Sequence, residues 1–166
     1  QTMKDQGFDT EKIWYRGTGT DERSWQPREH EAGLAEYYNE SPDMANEYAR
    51  RAMVDGRAAN VRRVFIKGEI LNEDAPVDHQ VMEDILATIS DMGHPVTGGQ
   101  YEKIIRSRDT NFALQELGIA LGVPFEERNR IINGALDQLG YGGRSYSESD
   151  GTQSVAVFSP ESRADI

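Results

Sequence analysis

Between positions 78 and 139 the chain runs through four successive stretches of helical spacing, and strand-like runs occur only before and after them. Val81, Ile85, Leu86 and Ile89 recur at three- and four-residue intervals across 78–92, and Tyr101, Ile104 and Ile105 mark a shorter stretch. Phe112, Leu114, Leu117 and Leu121 fall within 109–121, and Phe125, Ile131, Ile132, Leu136 and Leu139 within 125–139. This spacing lines apolar residues along one helix face. Gly93, Pro95, Gly98 and Gly99 break the first stretch from the second, and Gly122-Val123-Pro124 breaks the third from the fourth. Strand-like runs lie at 12–16, at 61–66 with an extension through Lys67 toward Ile70, and at 155–158. The order is strand, loop, helix, strand, helices, strand. It lacks the regular alternation of a doubly wound sheet and predicts an α+β domain.

The 166 residues suffice for one domain with its own core. The net charge of −11 bounds the partners. Non-specific nucleic-acid affinity comes from massed Lys and Arg, so an acidic body disfavours nucleic acid as a partner. A small anionic ligand in a locally basic pocket stays compatible. The absence of cysteine excludes disulfides, Cys-based zinc sites and thiol chemistry. His30, His79 and His94 lie far apart without metal-ligand spacing, so no metal is expected. No run of about 18 apolar residues and no leader peptide stands out. No membrane partner is therefore expected, and the location is expected to be cytoplasmic, in the producing cell or in a target cell after delivery. The chain starts at Gln1 rather than Met and reads as a domain excised from a longer protein.

Two local features bear on chemistry. Ile13, Trp14 and Tyr15 suit a half-buried strand, which stops at Gly17 and is followed by Thr18-Gly19-Thr20-Asp21. Glycine leaves backbone N–H and C=O groups uncovered, so a flat ligand can approach them beside the fixed cation Arg16. An ordinary strand with a glycine turn fits the same residues. Residues 18–33 read as a loop with room for a helical turn, in which Trp25 is an exposed lid or a satellite packing contact. The second feature is a helix over 42–56. Ser41 is an N-cap type, Pro42 suits the first helical position, Asp43 favours the positive helix end, and Gly56 is a plausible stop. Ala45, Tyr48, Ala49, Ala52 and Met53 form its apolar stripe, on which Tyr48 reads as a core residue. Residues 140–144 read as a turn without the Lys-Ser/Thr of a P-loop. Residues 145–151 read as a polar loop carrying Glu148 and Asp150.

Tyr15-Arg16-Gly17-Thr18, followed by Tyr37-Tyr38-Asn39-Glu40-Ser41-Pro42 and Ala45-Asn46-Glu47-Tyr48-Ala49, resembles the first two motifs of the ADP-ribosyltransferase superfamily. The likeness is nearest to the ADP-ribosyltransferase-like domains of phage-associated and bacterial polyvalent proteins. Gly140-Tyr141-Gly142-Gly143 and Val157-Phe158-Ser159-Pro160 are similar to the family's ending, and Val64-Phe65-Ile66 through Pro76 to its middle strand and exit. The helical stretch of about 78–139 lies outside the resemblance and reads as an insertion. The resemblance implies a split, twisted β-sheet that binds NAD, as a substrate, in a cleft. It implies that Tyr15, Arg16, Gly17 and Thr18 contact NAD, with the Gly17 backbone on the nicotinamide carboxamide and Arg16 on the adenosine ribose or a phosphate. It implies that Tyr37 and Tyr48 stack on the nicotinamide from either side. A pyridinium is a planar cation, which tyrosine faces attract.

Two departures from the family pattern stand out. Arg16 stands where the tyrosine-containing branch has His. Gly151-Thr152-Gln153 stands where the family has Gly-x-Glu, the carboxylate that stabilises an oxocarbenium-like transition state. Gln153 can hydrogen-bond a ribose without a charge, and Glu148 or Asp150 is then the carboxylate source. The expected function is mono-ADP-ribosyl transfer from NAD to an unknown acceptor, expected to be a protein, as a toxin or effector with NAD glycohydrolase side activity. The alternative is a catalytically degenerate nucleotide- or partner-binding module of a phage or mobile-element polyprotein. Glu29, Glu31 and Glu36, weighed as a glycosidase-like acid set, read as solvated charges.

Overall fold

The structure is a computed structural model that describes residues 2–18, 24–53 and 60–166. Gly19, Thr20, Asp21 and the expected helix stop Gly56 lie outside the described residues. The first helix, α1 (Pro42–Met53), starts where expected, and the Ser41 Oγ accepts the Asp43 N–H at 3.2 Å. The middle of the chain forms α2 (His79–Asp91), α3 (Gly98–Ile105), α4 (Thr110–Leu121) and α5 (Phe125–Gln138). Asp78 caps α2 by accepting the Gln80 and Val81 N–H groups, and Asp109 caps α4 by accepting that of Phe112. Gly122 ends α4 in the left-handed conformation that glycine tolerates best.

Among the described residues eight strands accompany these helices: β1 (Trp14–Thr18), β2 (Arg28–His30), β3 (Gly33–Asn39), β4 (Asn60–Ile66), β5 (Glu69–Asn72), β6 (Tyr141–Ser147), β7 (Gln153–Val157) and β8 (Arg163–Asp165). Their order is β5-β6-β7-β3-β1-β4-β8, with β2 added on β3, and only β5 and β6 run parallel. The chain is therefore a mixed α+β protein on one sheet. That sheet has to roll up. In a flat sheet β4 and β5 would lie five strand spacings, about 24 Å, apart. Only Lys67 and Gly68 join them, and that link spans roughly 11 Å. The strand expected to run on from Lys67 toward Ile70 therefore breaks at Gly68, whose φ is +81°.

Two segments read as loop or turn in the sequence are strands, and a third strand fills a stretch given no element there. β2 forms the end of the expected 18–33 loop, β6 replaces the 140–144 turn and the start of the polar loop, and β3 is the approach to α1. Phe8, ahead of the first strand, is buried and pairs with Lys67. Trp25 is a packing contact: it is partly buried against the sheet core, with the Arg163 guanidinium 5.3 Å from its ring.

Two interiors result. Ile85, Ile89, Ile104, Leu117, Ile132 and Leu136 form the centre of an apolar helical layer, which packs on β3 and β6 through α5. Trp14, Tyr38, Val64, Ile66, Val155 and Val157 form a second cluster between the strands. Strand alternation sends Tyr37 the other way, to a third cluster with Ala32, Ala35, Tyr146 and Ala156.

Candidate functional site

The sheet has a weak joint in its middle. β1 pairs with β4 over five residues but with β3 only at Tyr15 and Asn39. A cleft of about 210 Å³ opens at this joint, bordered by β1, β2, β3, α1 and the β6–β7 hairpin. Tyr15, Arg16, Gly17, Thr18, Tyr37, Tyr48 and Glu148, all singled out from the sequence, line it together. They come from segments more than 100 positions apart. Gln153 and Asp150 do not line it. Gln153 Nε2 donates to Ser147 Oγ at 2.7 Å and to Asp74 Oδ2 at 3.2 Å, on the other side of β7 from Ser154. Asp150 is exposed and spends its carboxylate on Thr152. Of the three hairpin candidates Glu148 alone faces the cleft, where it accepts a 2.7 Å hydrogen bond from Ser154 Oγ.

Several expected roles meet competing partners. Gly17 matters first for packing: a Cβ there would collide with the Ala45 carbonyl oxygen and crowd Tyr48 Cβ. The absent side chain brings α1 onto β1, which carries Tyr48 to the cleft wall. Tyr48 is not a core residue: it is 39% exposed, while Ala45 and Ala49 of the same helix are buried. Tyr37 is buried, its hydroxyl donates to the Gly33 carbonyl, and the Ala32 N–H donates to it. Burial pushes its pKa up to about 12, so it is a neutral donor at neutral pH.

Arg16 is not a free phosphate grip. Its Nη2 donates to the Gln26 carbonyl at 2.7 Å, and its Nη1 lies 3.3 Å from Glu36 Oε2. Glu36, read from the sequence as a solvated charge, is fully buried and is the centre of the charge network. Arg163 Nε donates to it at 2.6 Å, Tyr38 Oη at 2.8 Å and the Gln26 N–H at 2.9 Å, with Arg62 Nη1 3.8 Å away. Burial alone would raise the Glu36 pKa. The hydrogen bonds from Arg163, Gln26 and Tyr38 and the charge of Arg16 outweigh it and hold the carboxyl below its usual value. Arg62 is tied in turn to Asp165 at 2.7 Å. This network ties β1, β3, β4 and β8 together, and its Arg16 and Tyr38 reach the cleft wall.

Four cleft residues carried no signal in the sequence: Arg28 and His30 of β2, Tyr146 of β6 and Ser154 of β7. β2 is too short, and β6 too rich in glycine, to announce a strand; only the sheet pairing reveals them. His30 meets the Tyr37 ring edge-on at 5.1 Å. Tyr146 is 7% exposed, and its hydroxyl makes no hydrogen bond among the described residues. Burial pushes its pKa up, with Glu148 and Glu31 adding to the shift.

Tyr146 also borders a groove of about 540 Å³ that contains the buried Arg144–Glu73 pair and its partner Asn129. A further hollow of about 530 Å³ runs beside α5 among Glu126, Glu127, Arg130 and Asp137. Both exceed the cleft in volume, but neither pairs a carboxylate with two tyrosine faces. Among the described residues no group of three or more His, Asp or Glu side chains is arranged to hold a metal ion, and no helix is long and apolar enough to cross a membrane. No protein-family model matches the chain, and neither a curated protein nor a solved structure matches it.

Proposed function

We propose that this domain is an NAD-consuming mono-ADP-ribosyltransferase with the split-sheet architecture of that superfamily, and that the cleft at the β1–β3 joint binds the nicotinamide end of NAD. The observation that carries the reading is the meeting of Glu148, Tyr37 and Tyr48 in one cleft, with Gln153 and Asp150 turned away from it. Two tyrosine faces suit a planar cation. A cleft of about 210 Å³ is below the ~300–1,000 Å³ usual for whole ligands and suits one end of a dinucleotide. In this reading the Glu148 carboxylate accepts a hydrogen bond from a hydroxyl of the nicotinamide ribose. Its charge stabilises the positive charge that grows on the sugar as the C–N bond to nicotinamide breaks. The bond's electron pair leaves with nicotinamide. The acceptor supplies the pair for the new bond and loses its proton; water in that role gives the glycohydrolase. The acceptor is proposed to be a protein.

The test is nicotinamide release from NAD by the purified domain. Glu148→Gln is expected to lower it by about 10²–10³-fold, the loss typical for removing one group that stabilises developing charge. Asp150→Ala is expected to leave the rate within a few-fold. Release that depends on Asp150 and not on Glu148 would overturn the assignment of the carboxylate. A second reading, a nucleotide-binding module without catalysis, is favoured by one observation: the Arg16 guanidinium is already engaged by Glu36 and Gln26. Protection by NAD against heating, with no nicotinamide released, would select it.

A further inference from the structure

Tyr37 and Tyr48 of the cleft already share a planar cation. Arg28 Cζ lies 5.4 Å from the Tyr37 ring centroid and 5.8 Å from that of Tyr48. Both distances are within the ~6 Å at which a guanidinium is attracted to an aromatic face. Arg28 otherwise has little to hold it. It is exposed, it stands on a three-residue strand that pairs only with β3, and among the described residues its side chain has no hydrogen bond or ion pair. The neighbouring arginines differ: Arg16 is bound to Glu36 and Gln26, and Arg62 to Asp165. Arg28 is thus a loosely held cation that rests on both rings, while Arg51 of α1 reaches Tyr48 alone, its Cζ 5.6 Å from that ring centroid.

We infer that Arg28 is the resting occupant of a planar-cation slot between Tyr37 and Tyr48, and that any ligand using those rings must displace it. The inference rests on the proposed function only in naming the pyridinium as the natural competitor; the slot and its occupant stand on the ring geometry. A guanidinium and a pyridinium are both flat, delocalised cations, so they satisfy the same two faces and exclude each other there. Because β2 is short and lies at an edge, the Arg28 side chain can leave without breaking any other contact described here. The affinity of the cleft for a cationic ring is then lowered by the fraction of time that Arg28 occupies the slot.

The experiment is a calorimetric titration of ethylguanidinium, and separately of 1-methylnicotinamide, into the wild-type protein, Arg28→Ala and Arg28→Met. The methionine variant keeps side-chain length without charge. Both cations are expected to bind both variants about tenfold more tightly than wild type. Adding Tyr48→Leu to Arg28→Ala is expected to remove most of that gain. Equal or weaker binding of both cations by the two variants would overturn the inference; if NAD were still turned over, the proposed function would survive it. A gain for ethylguanidinium without one for 1-methylnicotinamide would support Arg28 as the occupant while counting against the nicotinamide reading. Retention of the gain after Tyr48→Leu would overturn the slot.

Discussion

In the helical layer Ile85, Ile89, Leu117 and Leu136 are buried among other aliphatic side chains, whereas in the rolled sheet the equally buried Glu36 lies among Arg16, Arg62 and Arg163. The first interior is held by removal of apolar surface from water, which is non-directional and tolerates shape changes. The second adds charge-assisted hydrogen bonds, which are directional and fix the partners' positions. The contrast fits the placement of the cleft. A joint with one residue pair between β1 and β3 needs another restraint on its strands, and the Glu36 network supplies one through Arg16 of β1 and Tyr38 of β3. Buried ion pairs contribute less to net stability than their geometry suggests, since desolvation offsets the attraction. Their role here is to hold the joint at one width.

The strongest attempt to break this comparison is Glu36→Ala. It leaves buried arginines without their carboxylate, and such a change costs about 3–5 kcal/mol, a fall in Tm of about 6–20 °C for a chain of this size. Leu117→Ala in the helical layer is expected to cost a similar amount, about 2–5 kcal/mol. The two should part in the cleft: Leu117→Ala should leave NAD-fragment affinity per folded molecule unchanged, and Glu36→Ala should reduce it. Equal effects of both on affinity, measured below the melting range, would dissolve the distinction.

Gly17→Ala comes next. The added methyl meets the Ala45 carbonyl, so α1 has to move off β1 and take Tyr48 with it. Overpacking of this kind costs about 1–3 kcal/mol, and the binding of planar cations should fall more than the melting temperature indicates.

Acid sharpens the same contrast. The folded Glu36 carboxyl titrates below its usual value, so its stabilising effect is complete above the ordinary glutamate pKa of about 4.3 and is lost as pH falls through the lower folded value. Urea melts of the wild type should therefore weaken below about pH 4.3. Glu36→Gln should flatten that slope, and Leu117→Ala should leave it parallel to wild type. The smallest effect is expected for Gln153→Ala. It removes two exposed hydrogen bonds outside the cleft, a loss under about 1 kcal/mol, with nicotinamide release within twofold. A loss of release comparable to that of Glu148→Gln would return Gln153 to the site.

Much of the helical half could be read directly. The four helices over 79–138 follow the 3.6-residue spacing of their apolar residues, and Ser41 stands at the start of α1 for reasons contained within one turn of chain; the Asp78 and Asp109 caps are equally local but were not read. The cleft residues Tyr15, Arg16, Gly17, Thr18, Tyr37, Tyr48 and Glu148 were also legible as types beside recognisable motifs. β3 was not. It is buried on both faces apart from Leu34, so it lacks the alternation that marks a half-exposed strand, and Glu36 in its middle gives it a polar reading. β6 was hidden by Gly142 and Gly143. Side chains there would collide with the Lys67 carbonyl and come within 2.5 Å of the Ala156 oxygen, neighbours that no local window contains.

The sequence by itself determined the helices, the cap of α1, the acidic charge and the residue types that gather at the cleft, because each depends on composition or on neighbours a turn or so away. Only the tertiary structure decided that Glu36 is a buried anchor, that Arg16 answers to it, that Glu148 and not Gln153 faces the cleft, and that Arg28 lies on two tyrosine rings. Glu36 and Arg163 are 127 positions apart, and Gln153 and Asp74 are 79 apart. Whether such a side chain is solvated or paired depends on which strands the rolled sheet brings together. That pairing is set by the burial and hydrogen bonding of the whole chain, and not by any one stretch of it.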